Sequence, residues 1–240
     1  QRALAEALGV SGLSGGFRSG SSVTRPAAPV CLRLSPQGGT AAAVYDGSVA
    51  VLDTETGEVL ATLAAERSGL SEAEYLTEDV LVYAGDGGIR AYSVSEGREL
   101  WTGRPATAIA VSTDGSTVAA IYKEEATATL YHGETGQIKA EIDFEGKVPQ
   151  VADNDRFANP EDNLLALNRD GSRLAVSFSD GSLWVYRPED REQDIAVLDA
   201  ASGVSHFEGG FFGDYFAFSA TGHSQSVFAV VDTVTVEQTG

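Results

Sequence analysis

The chain has 240 residues, 42% apolar and 21% charged, so it can bury a core and is not a polar disordered tract. A formal net charge of −19 excludes the basic footprint that nucleic acid requires and disfavours an anionic membrane surface. The single cysteine, Cys31, leaves no internal disulfide to form, and no apolar run approaches the roughly 18 residues that span a bilayer.

Residues 1–28 read as a flexible arm. Gln1 to Val10 is helix-compatible, with Leu4 and Leu8 one turn apart, but too short to hold a helix alone. Ser11 to Ser22 is rich in glycine and serine. The other reading is a strand near Val23 that completes a sheet elsewhere. No signal sequence is visible, and a chain that starts at Gln1 without any methionine is expected to continue upstream.

The clearest unit runs from Val30 to Leu63. It reads strand, Pro36-Gln37-Gly38-Gly39, strand, Asp46-Gly47, strand, Thr56-Gly57, strand. Val30, Leu32 and Leu34 alternate with polar residues, the pattern of a strand with one buried face. Val49 to Leu52 is apolar on both faces, so the sheet must be covered on both sides. Ala41, Ala42 and Ala43 let a neighbour approach closely. Asp-Gly between apolar runs is a hairpin signal. The unit is an antiparallel meander that cannot hide its faces alone.

Weaker copies follow. We place the units at 29–67, 68–104, 105–146, 163–203 and 204–240, with a polar insertion at 146–162. Gly57, Gly97 and Gly136 lie 40 and 39 residues apart, and Gly115 and Gly171 lie 56 apart, about one period plus the insertion. A period near 40 with four strands marks radially repeated sheets. The second copy has strands at Glu74–Thr77 and Ile89–Tyr92, and the third at Ala108–Ser112 and Thr117–Tyr122. The fifth is degraded, with Gly209-Gly210 outside its strands and a last strand expected at Thr235 to Gln238. Gly115 and Gly171 are expected at positive φ.

Ser112-Thr-Asp-Gly-Ser-Thr-Val-Ala-Ala and Asn168-Arg-Asp-Gly-Ser-Arg-Leu-Ala-Val resemble the strand-turn-strand motif of bacterial WD40-like and quinoprotein-like β-propellers. Ser35-Pro-Gln-Gly-Gly-Thr and Val51-Leu-Asp-Thr-Glu-Thr-Gly-Glu are similar to further pieces of it. No Trp-Asp dipeptide and no Gly-His precedes the units, so the hydrogen-bonded network of strict WD40 repeats is not expected. The resemblance implies an all-β propeller of four-stranded antiparallel blades, about five here. The spacing leaves open whether they form a five-bladed ring or part of a larger one.

Little in the sequence points to chemistry. His132, His206 and His223 lack metal-ligand spacing and read as strand or turn residues, with His132 at the surface. There is no GxSxG elbow and no phosphate loop. Asp153-Asn-Asp155 with Glu161-Asp162 invites calcium but lacks the spaced glutamate and glycine of a calcium loop, so a solvated acidic loop is the reading and no metal is expected. Some relatives of this fold use a quinone, which would need cation ligands and a stacking tryptophan. Trp101 and Trp184 occupy strand positions that suit blade packing, and no cofactor is expected. The acidic clusters (Glu72, Glu74, Glu78, Asp79; Glu124, Glu125; Glu189, Asp190, Glu192, Asp194) read as charges that keep exposed edges soluble, or else as a surface for a basic partner.

The resulting expectation is a non-catalytic interaction or scaffold propeller, part of a larger bacterial protein, with a protein partner. Arg156 and Phe157 in the insertion are the candidate contacts, because arginine and aromatic side chains are common anchors. The alternatives are a sugar- or ligand-binding or enzymatic propeller that uses its central channel, and the extracytoplasmic sensor domain of a membrane protein. The compartment, cytoplasmic or extracytoplasmic, stays open.

Overall fold

A computed structural model describes residues 29, 31–45, 47–64, 72–84, 87–122, 125–150, 164–190, 194–199, 204–222, 226–234 and 238–239. Among them there is no helix. All strands belong to five four-stranded antiparallel sheets, each paired in chain order. The fold is a β-propeller of four-stranded blades. The chain divides into two compact units, Gln1–Pro105 with two blades and Ala106–Gly240 with three.

In the first unit, blade 1 comprises β1 (Cys31–Leu34), β2 (Thr40–Tyr45), β3 (Ser48–Asp53) and β4 (Val59–Ala64). Blade 2 comprises β5 (Glu72–Tyr75), β6 (Val80–Ala84), β7 (Arg90–Ser93) and β8 (Arg98–Thr102). The alanine strand behaves as its small side chains dictate: Ala41, Ala42 and Ala43 are buried. Ala42, Val44, Val49 and Val51 of blade 1 pack against Ala73, Tyr75, Leu81 and Tyr83 of blade 2. Strands β5 and β7 start within two residues of their expected places.

In the second unit, blade 3 comprises β9 (Ala108–Val111), β10 (Thr117–Tyr122), β11 (Thr127–His132) and β12 (Ile138–Asp143). Blade 4 comprises β13 (Leu165–Leu167), β14 (Leu174–Ser177), β15 (Leu183–Tyr186) and β16 (Ile195–Leu198). Blade 5 comprises β17 (Val204–Phe212), β18 (Tyr215–Gly222), β19 (Ser226–Asp232) and β20 (Gln238–Thr239). Both faces of blade 4 are covered. Leu174, Val176 and Phe178 meet blade 3, where Phe144 lies edge-on to Phe178 at 5.2 Å. Ala175, Leu183 and Val185 meet Phe207, Phe216 and Phe218 of blade 5. Each fully buried leucine or phenylalanine contributes roughly 1.5–3 kcal/mol, so these contacts dominate the stability of the unit.

One local irregularity repeats. The pairing of third and fourth strands shifts register between Val51 and Leu52, Ala91 and Tyr92, Leu130 and Tyr131, and Leu183 and Trp184. A bulge adds twist, and its recurrence shows that the copies share geometry as well as sequence.

Two expectations change. The fifth copy, degraded as a sequence repeat, still forms a four-stranded blade, with strands of 9 and 8 residues in its hairpin β17–β18. Gly209 and Gly210 lie inside β17, opposite Phe218 and Ala217. A side chain at Gly209 would come within 2.7 Å of the Ala217 carbonyl oxygen, so glycine there lets the strands close around the bulky Phe218. The last strand, expected at Thr235 to Gln238, is described at Gln238–Thr239, where it pairs with β19; 235–237 lie outside the described residues. Finally, the insertion does not leave the sheet at once. Pro149 bridges Phe178, the Gln150 N–H donates to the Ser177 carbonyl (2.9 Å), and Lys147 sits 4.7 Å over the Trp184 ring.

Candidate functional site: the rim turns and the outer face of blade 5

The turn between the first two strands of a blade is where the repeated motif lies, and its leading residue explains the motif. Ser35, Ser112 and Asn168 are buried. Each accepts the N–H five residues on: Thr40 to Ser35 Oγ (3.0 Å), Thr117 to Ser112 Oγ (2.9 Å) and Arg173 to Asn168 Oδ1 (2.9 Å). The side chain thereby satisfies a backbone donor that the tight turn would otherwise bury unpaired. Gly115 and Gly171 have φ of 72° and 69°, as expected.

These turns also join blades. The Glu78 carboxylate, from the blade 2 turn, accepts the Ser35 hydroxyl (2.8 Å), the Gln37 N–H (2.7 Å) and the Gly39 N–H (3.1 Å) of blade 1. In the second unit the Asp114 N–H donates to the Arg169 carbonyl (3.1 Å), and Arg173 of blade 4 pairs with Asp214 of blade 5 at 3.0 Å. Asp79 accepts the Ser93 hydroxyl (2.6 Å) and the Ser95 N–H (2.7 Å), and Asp194 accepts the Arg187 N–H (2.8 Å). On the innermost strands, Arg33 of β1 donates to Glu74 of β5 at 2.5 Å, with side chains 34% and 26% exposed. The reading of the acidic clusters as plain surface charge is therefore corrected for Glu74, Glu78, Asp79 and Asp194. Their oxygens close turns and link strands. Sequence showed the acids but not the donors opposite them, which lie about one repeat away for Glu74 and Glu78.

The protonation of these groups follows their partners. Backbone hydrogen bonds, first from Gln37, hold Glu78 below the usual carboxylate range. Hydrogen bonds from Ser172 do the same for Asp170. For Asp79 and Asp114 partial burial pulls upward, but the hydrogen bonds from Ser93 and Ser95, and from Ser116 and Ser112, outweigh it. Glu74 goes the other way: burial lifts it despite the Arg33 guanidinium. A depressed carboxylate adds stability above its unfolded pKa and loses it as pH falls through the folded value. The urea midpoint is therefore expected to fall between pH 5 and pH 3, with Glu74 opposing the trend weakly. A midpoint that holds or rises over that interval would show that the rim carboxylates contribute nothing.

Beside the blade 3 turns lies an open groove of 470 Å³ lined by Gly115, Ser116, His132, Glu134, Thr135 and Gln137. His132 is exposed there, as expected. His206 is exposed on β17, and His223 lies outside the described residues, as do Arg156, Phe157, Asp153, Asp155, Glu161 and Asp162. Among the described residues no group of three or more His, Cys, Asp or Glu side chains is arranged to hold a metal ion. Nor do the tryptophans fit a quinone. Trp101 is buried, and Trp184 stacks on Tyr186 (centroids 6.1 Å apart) beneath Lys147, so neither offers an open ring face.

The feature sequence reasoning missed is the outer face of blade 5. The strand registers put Phe212, Tyr215 and Phe228 on the side away from blade 4, with Ala217 and Val230 between them. They are 73%, 49% and 77% exposed. The residues that alternate with them, Phe216 and Phe218, are fully buried. The signal was present as alternation of aromatic residues in Phe211 to Phe218. It could not be read because both faces of those strands carry rings.

Residues 18–129 match the family model described as outer membrane protein assembly factor BamB. That stretch is less than half of the chain. The match supports a quinoprotein-like propeller rather than WD40 repeats. No curated protein matches the chain. Among solved structures the chain is similar to Kuenenia stuttgartiensis hydrazine synthase, at 14% identity and a TM-score of 0.62, covering 91% of this chain and 67% of that one. At that identity the likeness speaks for the fold alone. Among the described residues no helix is long and apolar enough to cross a membrane. The comparisons and the geometry meet on one conclusion: a β-propeller with quinoprotein-like repeats, over part of its length similar to an assembly factor.

Proposed function

We propose that the chain is a non-catalytic interaction domain that docks a protein partner on its blades. The observation that carries this reading is the outer face of blade 5, where three large aromatic side chains stand in solvent on one sheet. Exposed rings on one face, contiguous through small apolar residues, are the composition of a protein-binding patch. The alternative, an enzymatic or sugar-binding channel, draws on the charged pair Arg33 and Glu74 of the innermost strands, but these two groups are spent on each other. The similarity to an assembly factor over residues 18–129 favours the interaction reading. Arg156 and Phe157 of the insertion are proposed as additional contacts, carried on the stem that Pro149 and Gln150 pin to blade 4.

The test is quantitative capture from an extract of the source organism, comparing the unaltered protein with Phe212→Ser plus Phe228→Ser and, separately, with residues 151–162 deleted. Both rings are exposed, so the double variant is expected to melt like the parent while losing most of the captured partner. Unchanged capture by both variants would overturn the reading.

A further inference from the structure

The outer face of blade 5 also indicates the kind of partner. The strand registers lay it out in rows. Phe212 and Tyr215 share a row with Asp232, and two rows along the strands Phe228 shares one with Glu208 and Ser219. Rows on one face are about 7 Å apart, so the two aromatic ends lie within about 14 Å. Glu208 is exposed, and its cross-strand neighbourhood holds no cation: the face from His206 to Phe212, and across to Asp232, contains no lysine or arginine. Aromatic faces and carboxylates in alternation attract guanidinium and ammonium groups, which stack on the ring while pairing with the acid.

The charge of the whole molecule selects among occupants. Two copies of this chain, each at −19, would repel on approach, whereas a basic partner is drawn in. We propose that this face docks a basic segment of a partner protein, its arginine or lysine side chains seated on Phe212, Tyr215 and Phe228 and paired with Glu208. This rests on the interaction reading above and narrows it to one chemistry.

The probe is a pair of fluorescent 13-residue peptides, one alternating arginine with leucine and one alternating glutamate with leucine, titrated with the protein and read by anisotropy at low and moderate salt. The arginine peptide is expected to bind and the glutamate peptide to fail. Phe228→Ser and Glu208→Lys are each expected to weaken the arginine peptide tenfold or more. Glu55→Lys, an equal charge change on an exposed turn of blade 1, is expected to change it less than twofold. Equal losses from Glu208→Lys and Glu55→Lys would mean diffuse attraction to an acidic protein and would overturn the inference. A concentration-dependent dimer in sedimentation that Phe228→Ser abolishes would overturn it too, by giving the face to a second copy. If Phe228→Ser abolishes capture of the natural partner while Glu208→Lys leaves it intact, the interaction reading survives and the basic partner does not.

Discussion

Replacing Gly171 with alanine is expected to cost about 2–5 kcal/mol, the sum of left-handed backbone strain and overpacking. Gly171 sits at φ 69°, where a side chain is strained in any surroundings. Its surroundings are also closed: a Cβ there would lie 2.3 Å from the Thr117 Cβ across the junction of blades 3 and 4. Gly115 is the control. It has φ 72° in the equivalent turn of blade 3, but it borders the open groove. Gly115→Ala should cost about 1–2 kcal/mol, the strain alone. Valine at either site should be worse, since branching at Cβ adds crowding. Urea midpoints of the two alanine variants decide the matter. Equal losses would show that the Thr117 contact yields without penalty, and no loss in either would refute the turn geometry. Thr117→Ala should not rescue Gly171→Ala, because the nearest atom, Cβ, remains.

The second large effect is expected at the innermost strands of blades 1 and 2. Arg33→Met leaves the partly buried Glu74 without its cation and should cost about 1–3 kcal/mol. Glu74→Leu leaves Arg33, whose head can turn toward water, and should cost less. The double variant Arg33→Met with Glu74→Leu should recover most of the loss, because apolar side chains of similar volume require no desolvation of charge. The pH dependence has a definite sign. Burial raises the Glu74 pKa, so protonation relieves the stranded carboxylate as pH falls. The deficit of Arg33→Met relative to the parent should therefore shrink from pH 7 to pH 4.5. A deficit that grows on acidification, or a double variant weaker than either single one, would show that the pair stabilises through something other than mutual charge compensation.

Much of the blade plan was legible without coordinates. Turn chemistry is local: Asp-Gly, Thr-Gly and the serine- or asparagine-led turns carry their own hydrogen bonds within five residues, so the motif repeats whenever the geometry does. The strands of blades 3 and 4 fell within a residue or so of their expected places for that reason. Blade 5 was misjudged because its turns are weaker signals and its glycines sit inside a strand. There Gly209 is required by the neighbouring Phe218 on β18 rather than by a turn. The exposed outer face of blade 5 was harder still. Phe212, Phe216, Phe218 and Phe228 are chemically alike, and only the register of β17, β18 and β19 sorts them into two covered and two exposed.

By itself the sequence determined the repeat, the antiparallel meander and the positive-φ turns, because those depend on residues near one another in the chain. It also determined the net charge, and with it the kinds of partner the surface repels. Only the tertiary structure decided what the acids do and which rings remain in water. Glu74 and Glu78 find their partners about forty residues away across a blade junction, and a carboxylate looks the same in sequence whether it faces solvent or an arginine. Burial is a property of two surfaces meeting, and one strand's pattern cannot say whether the second surface is there.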